Sequence, residues 1–114
     1  MSEQNFKYYI QRLLSERDFL VLNCAKKQAF DLVAIRNQIA VPLELKGKNT
    51  PYSEEQKLYQ KDLASRVRTN FLIIKQGKKR GEIIIEECYV HYESPETNLL
   101  WHKIQNEIIE ALHK

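Results

Sequence analysis

Asp31, Glu44 and Lys46 are the residues of this chain whose types and spacing could do chemistry together. Glu44 and Lys46 close the run IAVPLELK at 39–46. A period of two sends Ile39, Val41, Leu43 and Leu45 to one face of a strand and Ala40, Pro42, Glu44 and Lys46 to the other. A carboxylate and an ammonium group therefore share a face, roughly 6–7 Å apart along the strand. Asp31 lies in AFDLVAI, which is apolar on both faces, so it is expected to be at least partly buried. A lone buried carboxylate is costly unless it is paired, hydrogen-bonded or bound to a metal.

The two apolar runs within 29–47 split at Arg36-Asn37-Gln38, a hairpin signature. Pairing them about that turn sets Asp31 near Glu44. Two carboxylates brought together need a cation, and one lysine is only part of one. With the Leu45 carbonyl they form a hard-oxygen set of the kind that holds Mg²⁺, with Mn²⁺ as a substitute. Such an ion can lower the pKa of a bound water and stabilise a phosphodiester transition state. Lys46 would then orient the attacking water or neutralise the pentavalent phosphate.

These residues need elements to position them. Residues 3–16 read as an amphipathic helix, with Phe6, Tyr9, Ile10, Leu13 and Leu14 at helical spacing. DFLVLNC at 18–24 suits a strand, followed by the hairpin. Pro42 removes a ladder donor, so the strand that carries Glu44 is expected to be bulged or unpaired on one side there. Ser53 followed by Gln56 fits a capping box opening a helix that runs to about Arg66. NFLIIKQ (70–76) and GEIIIEECYVHY (81–92) are β-rich and separated by the basic turn GKKR. Ser94-Pro95 resembles an N-cap and first helical position for a last helix over 96–113, with Leu100, Trp101, Ile104, Ile108 and Leu112 on one face. The order is α-β-β-β-α-β-β-α: an α/β domain whose strand-helix-strand crossover at 39–75 makes at least one parallel pair, right-handed, in a mixed sheet flanked by helices.

The totals agree with one domain over 1–114. The chain has 114 residues, 43% of them hydrophobic and 29% charged, as in ordinary soluble globular proteins. No apolar run approaches the ~20 residues of a membrane span, and the N-terminus does not read as a secretory signal. Cys24 and Cys88 lack partners at metal-ligand spacing and read as reduced core residues of an intracellular, cytoplasmic protein. His91 and His102 read as surface or capping residues, and the tyrosines as mostly core-facing. The net charge of +3 permits nucleic-acid binding without requiring it.

The pattern of Asp31, twelve intervening residues, then Glu44-Leu45-Lys46 resembles the PD-(D/E)XK nuclease superfamily, with its restriction-endonuclease-like fold. The small versions it looks most like are the archaeal and viral Holliday-junction resolvases and the virus-type replication-repair nucleases. The resemblance implies a Mg²⁺-dependent DNA endonuclease, structure-specific for junctions or repair intermediates, acting as a homodimer through exposed apolar positions of the first or last helix. It also points to a glutamate of the first helix as a metal ligand, Glu3 ahead of Glu16, and to Gln56 as a catalytic assistant. Phe30 stands where the family's proline would precede the Asp. The compact chain suits a viral or mobile element.

An E-x-K tripeptide alone carries little weight, since Glu55-Gln56-Lys57 matches it too; strand end, preceding Asp and following capped helix lift Glu44 and Lys46. Lys48, just past that strand, and Lys78, Lys79 and Arg80 of the basic turn are the candidate phosphate contacts. Tyr52 lies beside the site, where a ring could stack on DNA. Two other readings compete: a catalytically inactive nucleic-acid-binding module on the same fold, with the acids salt-bridged to Lys46, and an RNA-cleaving nuclease.

Overall fold

The computed structural model describes residues 2–24, 29–89 and 95–113. Its elements are α1 (Glu3–Ser15), β1 (Leu20–Asn23), β2 (Leu32–Arg36), β3 (Ile39–Lys46), α2 (Glu54–Val67), β4 (Phe71–Gln76), β5 (Ile83–Cys88) and α3 (Pro95–Leu112). The order is the one the sequence pattern predicts. Residue 94 lies outside the described residues, as does the end of the predicted strand 81–92 with His91.

The five strands form one sheet in sequential order, β1-β2-β3-β4-β5. All neighbours pair antiparallel except β3 and β4, which are parallel because α2 carries the chain back across the sheet. The β2–β3 turn is the two-residue loop Asn37-Gln38, whose φ values of 52° and 66° give the left-handed backbone of a tight hairpin. Pro42 pairs with Val33 with no bulge, and the ladder to β4 begins one residue later, at Leu43. The proline thus sits where β3 still lacks a neighbour on its β4 side.

Burial follows the period of two on β3. Ile39, Val41 and Leu43, with Leu45 packed beside them, join Phe6, Ile10 and Leu14 of α1 and Ile104, Ile108 and Leu112 of α3 in the main core. Glu44 and Lys46 point to the opposite face, where Ala64 of α2 packs on Phe71, Ile73 and Cys88, flanked by Phe30 and Tyr52. So α1 and α3 cover one face of the sheet and α2 the other, which buries both faces of β3 near its end. Ser53 caps α2, accepting the Gln56 N–H at 3.1 Å.

Three details depart from the sequence reading. Tyr8, Tyr59 and Tyr89 are exposed rather than core-facing, because long helices and edge strands leave amphipathic rings at the rim. Leu100 is exposed as well, the helical stripe of α3 passing through Trp101 instead. Cys24 is half-buried at the end of edge strand β1, whereas Cys88 is buried; both are free thiols. Among the described residues no helix is long and apolar enough to cross a membrane.

Candidate active site

The hairpin register decides where the acids lie. Leu32 pairs with Leu43, so one further step places Asp31, just before β2, opposite Glu44. Asp31 Oδ2 accepts the Leu45 N–H at 2.8 Å, which pins the Asp31 carboxylate to the edge of β3. Glu44 is only 6% exposed and lies against Asp31. Burial pushes its carboxyl up to about 8, and the contact with Asp31 adds to this, while Lys46 and Gln60 oppose it. The neutral form of Glu44 is thereby favoured.

Lys46 is buried beside them, its Nζ 3.8 Å from Glu44 Oε1. Gln56 Oε1 accepts a hydrogen bond from Lys46 Nζ at 3.2 Å. Gln56 therefore serves in both ways the sequence allowed: its N–H completes the helix cap and its side chain reaches the site lysine. The Tyr52 ring supports the same ammonium from 5.0 Å and faces Lys75 at 6.0 Å.

Sequence reasoning missed Gln60. It lies one helical turn beyond Gln56 and is 1% exposed. Its Nε2 donates to Glu44 Oε2 and, at 2.7 Å, to the Ala29 carbonyl, while its Oε1 accepts from the Tyr52 hydroxyl. One amide thus fixes the outer oxygen of Glu44, the loop that carries Asp31, and the tyrosine under Lys46. The spacing of four from Gln56 was the available signal, since it places both glutamines on one helix face. Tyr52, committed to Gln60 and the small core, is a support for Lys46 rather than a free stacking surface; burial and nearby negative charge raise its hydroxyl pKa. Lys75, the β4 partner of Lys46 in register, is drawn toward Glu86, which also pairs with Lys57. Phe30, in the proline's place, packs on Phe71 with ring centroids 5.1 Å apart.

The remaining predicted positions separate by sheet end. Lys48, Lys78, Lys79 and Arg80 line one cleft with Phe6 and Tyr9 of α1, at the Lys46 end of β3. Glu3 opens α1 toward that end, though its side chain lies outside the described residues. Glu16 caps the other end of α1, and the adjoining Arg17 and Asp18 line a small cavity with Arg36 at the β2–β3 turn. Glu16 is therefore a full strand length from Glu44 and does not join the site.

The donor set fits a hard divalent cation. Two carboxylates in contact repel one another once both ionise, and an ion between them relieves this. The Leu45 carbonyl leaves β3 on the same edge as its N–H, toward Asp31. Among the described residues no three His, Cys, Asp or Glu side chains cluster as a metal site. Two carboxylates and a carbonyl suit Mg²⁺, which keeps several waters, better than an ion needing an all-protein cage.

The fold is similar to that of Hjc, a Holliday junction resolvase of the archaeal hyperthermophile Archaeoglobus fulgidus, with a TM-score of 0.55. The match has 13% identity and covers 70% of this chain and 74% of that one. The fold is shared. No family model matches the sequence, and no curated protein is significantly similar to it.

Proposed function

We propose that this chain is a PD-(D/E)XK-type nuclease that hydrolyses phosphodiester bonds in DNA with Mg²⁺ or Mn²⁺. The observation that carries the reading is the meeting of Asp31, Glu44 and Lys46 at one buried strand end, on a fold like that of a junction resolvase. Asp31, Glu44 and the Leu45 carbonyl would hold the ion, with Glu3 a further ligand. The ion, when bound, supplies positive charge to the scissile phosphate and acidifies a water.

The chain's own groups do the rest. The Leu45 N–H and the Gln60 amide orient the two carboxylates before substrate arrives, so no ordering is needed at the moment of reaction. Gln56 and the Tyr52 ring hold the Lys46 ammonium, which would stabilise the extra negative charge as a water oxygen bonds to phosphorus and one P–O ester bond breaks. The departing oxygen takes up a proton, and the attacking water loses one. The likeness to Hjc supports a structure-specific substrate, a four-way junction or a replication intermediate. Two sites for two strands would come from a homodimer, for which Tyr8 of α1 or Leu99 and Leu100 of α3 offer exposed apolar positions.

The test is cleavage of labelled four-way junction, flap, single-stranded and duplex DNA, and of RNA, in Mg²⁺, Mn²⁺ or EDTA. Wild type should cut in metal only, and Glu44→Gln and Lys46→Ala should not cut. Metal-dependent cutting that survives in either variant would refute the site. A folded wild type that cuts nothing would leave the alternative that the Glu44–Lys46 pair favours, a nucleic-acid-binding module.

A further inference from the structure

The β4–β5 hairpin is closed by its own backbone. The Gly77 N–H donates to the Glu82 carbonyl at 2.7 Å and the Glu82 N–H to the Lys79 carbonyl at 3.0 Å. Gly81 makes the turn with a φ of 78°. At Gly77 the Glu82 side chain folds over the backbone where any Cβ would collide with it. Lys78, Lys79 and Arg80 therefore stand exposed on a well-defined turn. With Lys48 they line a cleft of about 750 Å³ whose wall is the half-exposed Tyr9 ring of α1, backed by the buried Phe6 and Ile83. None of these four cations forms an ion pair with a described residue. Glu82 is the one acidic residue of the lining.

The cleft lies on the α1 side of the sheet, whereas Glu44 and Lys46 lie on the α2 side, at the same end of β3. Lys48 joins the two, at most about 7 Å along the chain from Lys46. We propose that the cleft binds an unpaired nucleic-acid strand that continues from the phosphate held at Glu44 and Lys46. The inference rests on the nuclease reading and specifies the form of its substrate.

Three features support it. A row of cations beside the half-exposed Tyr9 ring is what an unpaired strand requires, phosphates on one side and a base face on the other. The cleft is the size of a small-ligand pocket, roughly 300–1,000 Å³, which admits one or two nucleotides. A duplex, whose major groove alone is about 12 Å wide, would meet only the rim. Passing round the end of β3 from one face to the other also needs a flexible chain, and bending a duplex through a comparable angle costs about 1–6 kcal/mol.

The test is equilibrium binding in EDTA, without cleavage, of fluorescent oligothymidylate, oligouridylate and blunt duplex DNA over a range of salt. The proteins are wild type, the double variant Lys78→Ala/Lys79→Ala, and Tyr9→Leu, which keeps an apolar side chain against the core. Melting temperatures verify that each is folded. Wild type should bind at least one single strand more tightly than the duplex. The double variant should bind it about tenfold more weakly, with a log–log salt slope shallower by about 0.7 per lysine. Tyr9→Leu should weaken it with the slope unchanged. Equal wild-type affinity for single strands and duplex would overturn the proposal, as would undiminished single-strand binding in the double variant. Failure of the nuclease reading would appear separately, as a folded wild type that cuts no DNA or RNA in Mg²⁺ or Mn²⁺.

Discussion

Glu44→Gln should make the metal-free protein more stable at alkaline pH while abolishing its activity. Glu44 is almost fully enclosed, and its carboxyl is raised from 4.5 to about 8 by burial first and by Asp31 second. A group raised in the folded state contributes its full stability below the unfolded pKa and loses it as pH rises through the folded one. Below about pH 4.5 both states hold the proton, and above pH 8 neither does. Between them the folded state retains a proton that the unfolded chain has released. At about 1.4 kcal/mol per pH unit, the penalty grows by about 4 kcal/mol from pH 5 to its plateau above pH 8. Glutamine keeps the shape, still accepts from Gln60, can donate toward Asp31, and carries no charge to desolvate. For a chain of this size 4 kcal/mol corresponds to about 15 °C in Tm. The assay is thermal or urea unfolding of both proteins in EDTA from pH 5 to pH 9. The two should be close at pH 5 and diverge steadily above it. Mg²⁺ at about 100 times its Kd should then recover up to about 2.7 kcal/mol for wild type at pH 9 and none for the variant. A Glu44→Gln protein no more stable than wild type at pH 9, or a gain independent of pH, would refute the account of the buried pair.

Two further outcomes follow from particular contacts. Gln60→Leu should lower kcat more than it raises KM, because it frees the Glu44 carboxylate; it should also cost about 1–3 kcal/mol, since the part-buried Ala29 carbonyl and Tyr52 hydroxyl lose their partner. Single-turnover cleavage and urea unfolding measure the two parts. Gln38→Gly should stabilise the fold by about 0.5–1 kcal/mol without touching activity, because Gln38 holds a φ of 66° that favours glycine; chemical denaturation with unchanged cleavage rates is the check.

Period and punctuation made most of the architecture legible in the sequence. Apolar residues at helical spacing marked the inner faces of α1 and α3, the alternation along 39–46 separated Leu43 from Glu44, and Ser53 announced α2. The Asp31–Glu44 contact was legible too, because a two-residue hairpin turn leaves one register, and register is a local property of turn length. Gln56 was singled out by the family resemblance rather than by spacing, and its side chain does meet Lys46.

Tertiary structure alone decided what no period encodes. Whether Gln60 faced solvent or Glu44 depended on how α2 settles on the sheet; its spacing of four from Gln56 assigns it a helix face but not its burial. The sequence ranked Glu3 ahead of Glu16 among the first-helix acids, but only α1 laid across the sheet sets Glu16 at the far end of β3. The same packing turned Lys48 and the basic turn, 30 residues apart in number between Lys48 and Lys78, into one cleft beside Tyr9. Periodicity assigns a residue to a face; only the packing of elements across long stretches of chain brings faces together into a site.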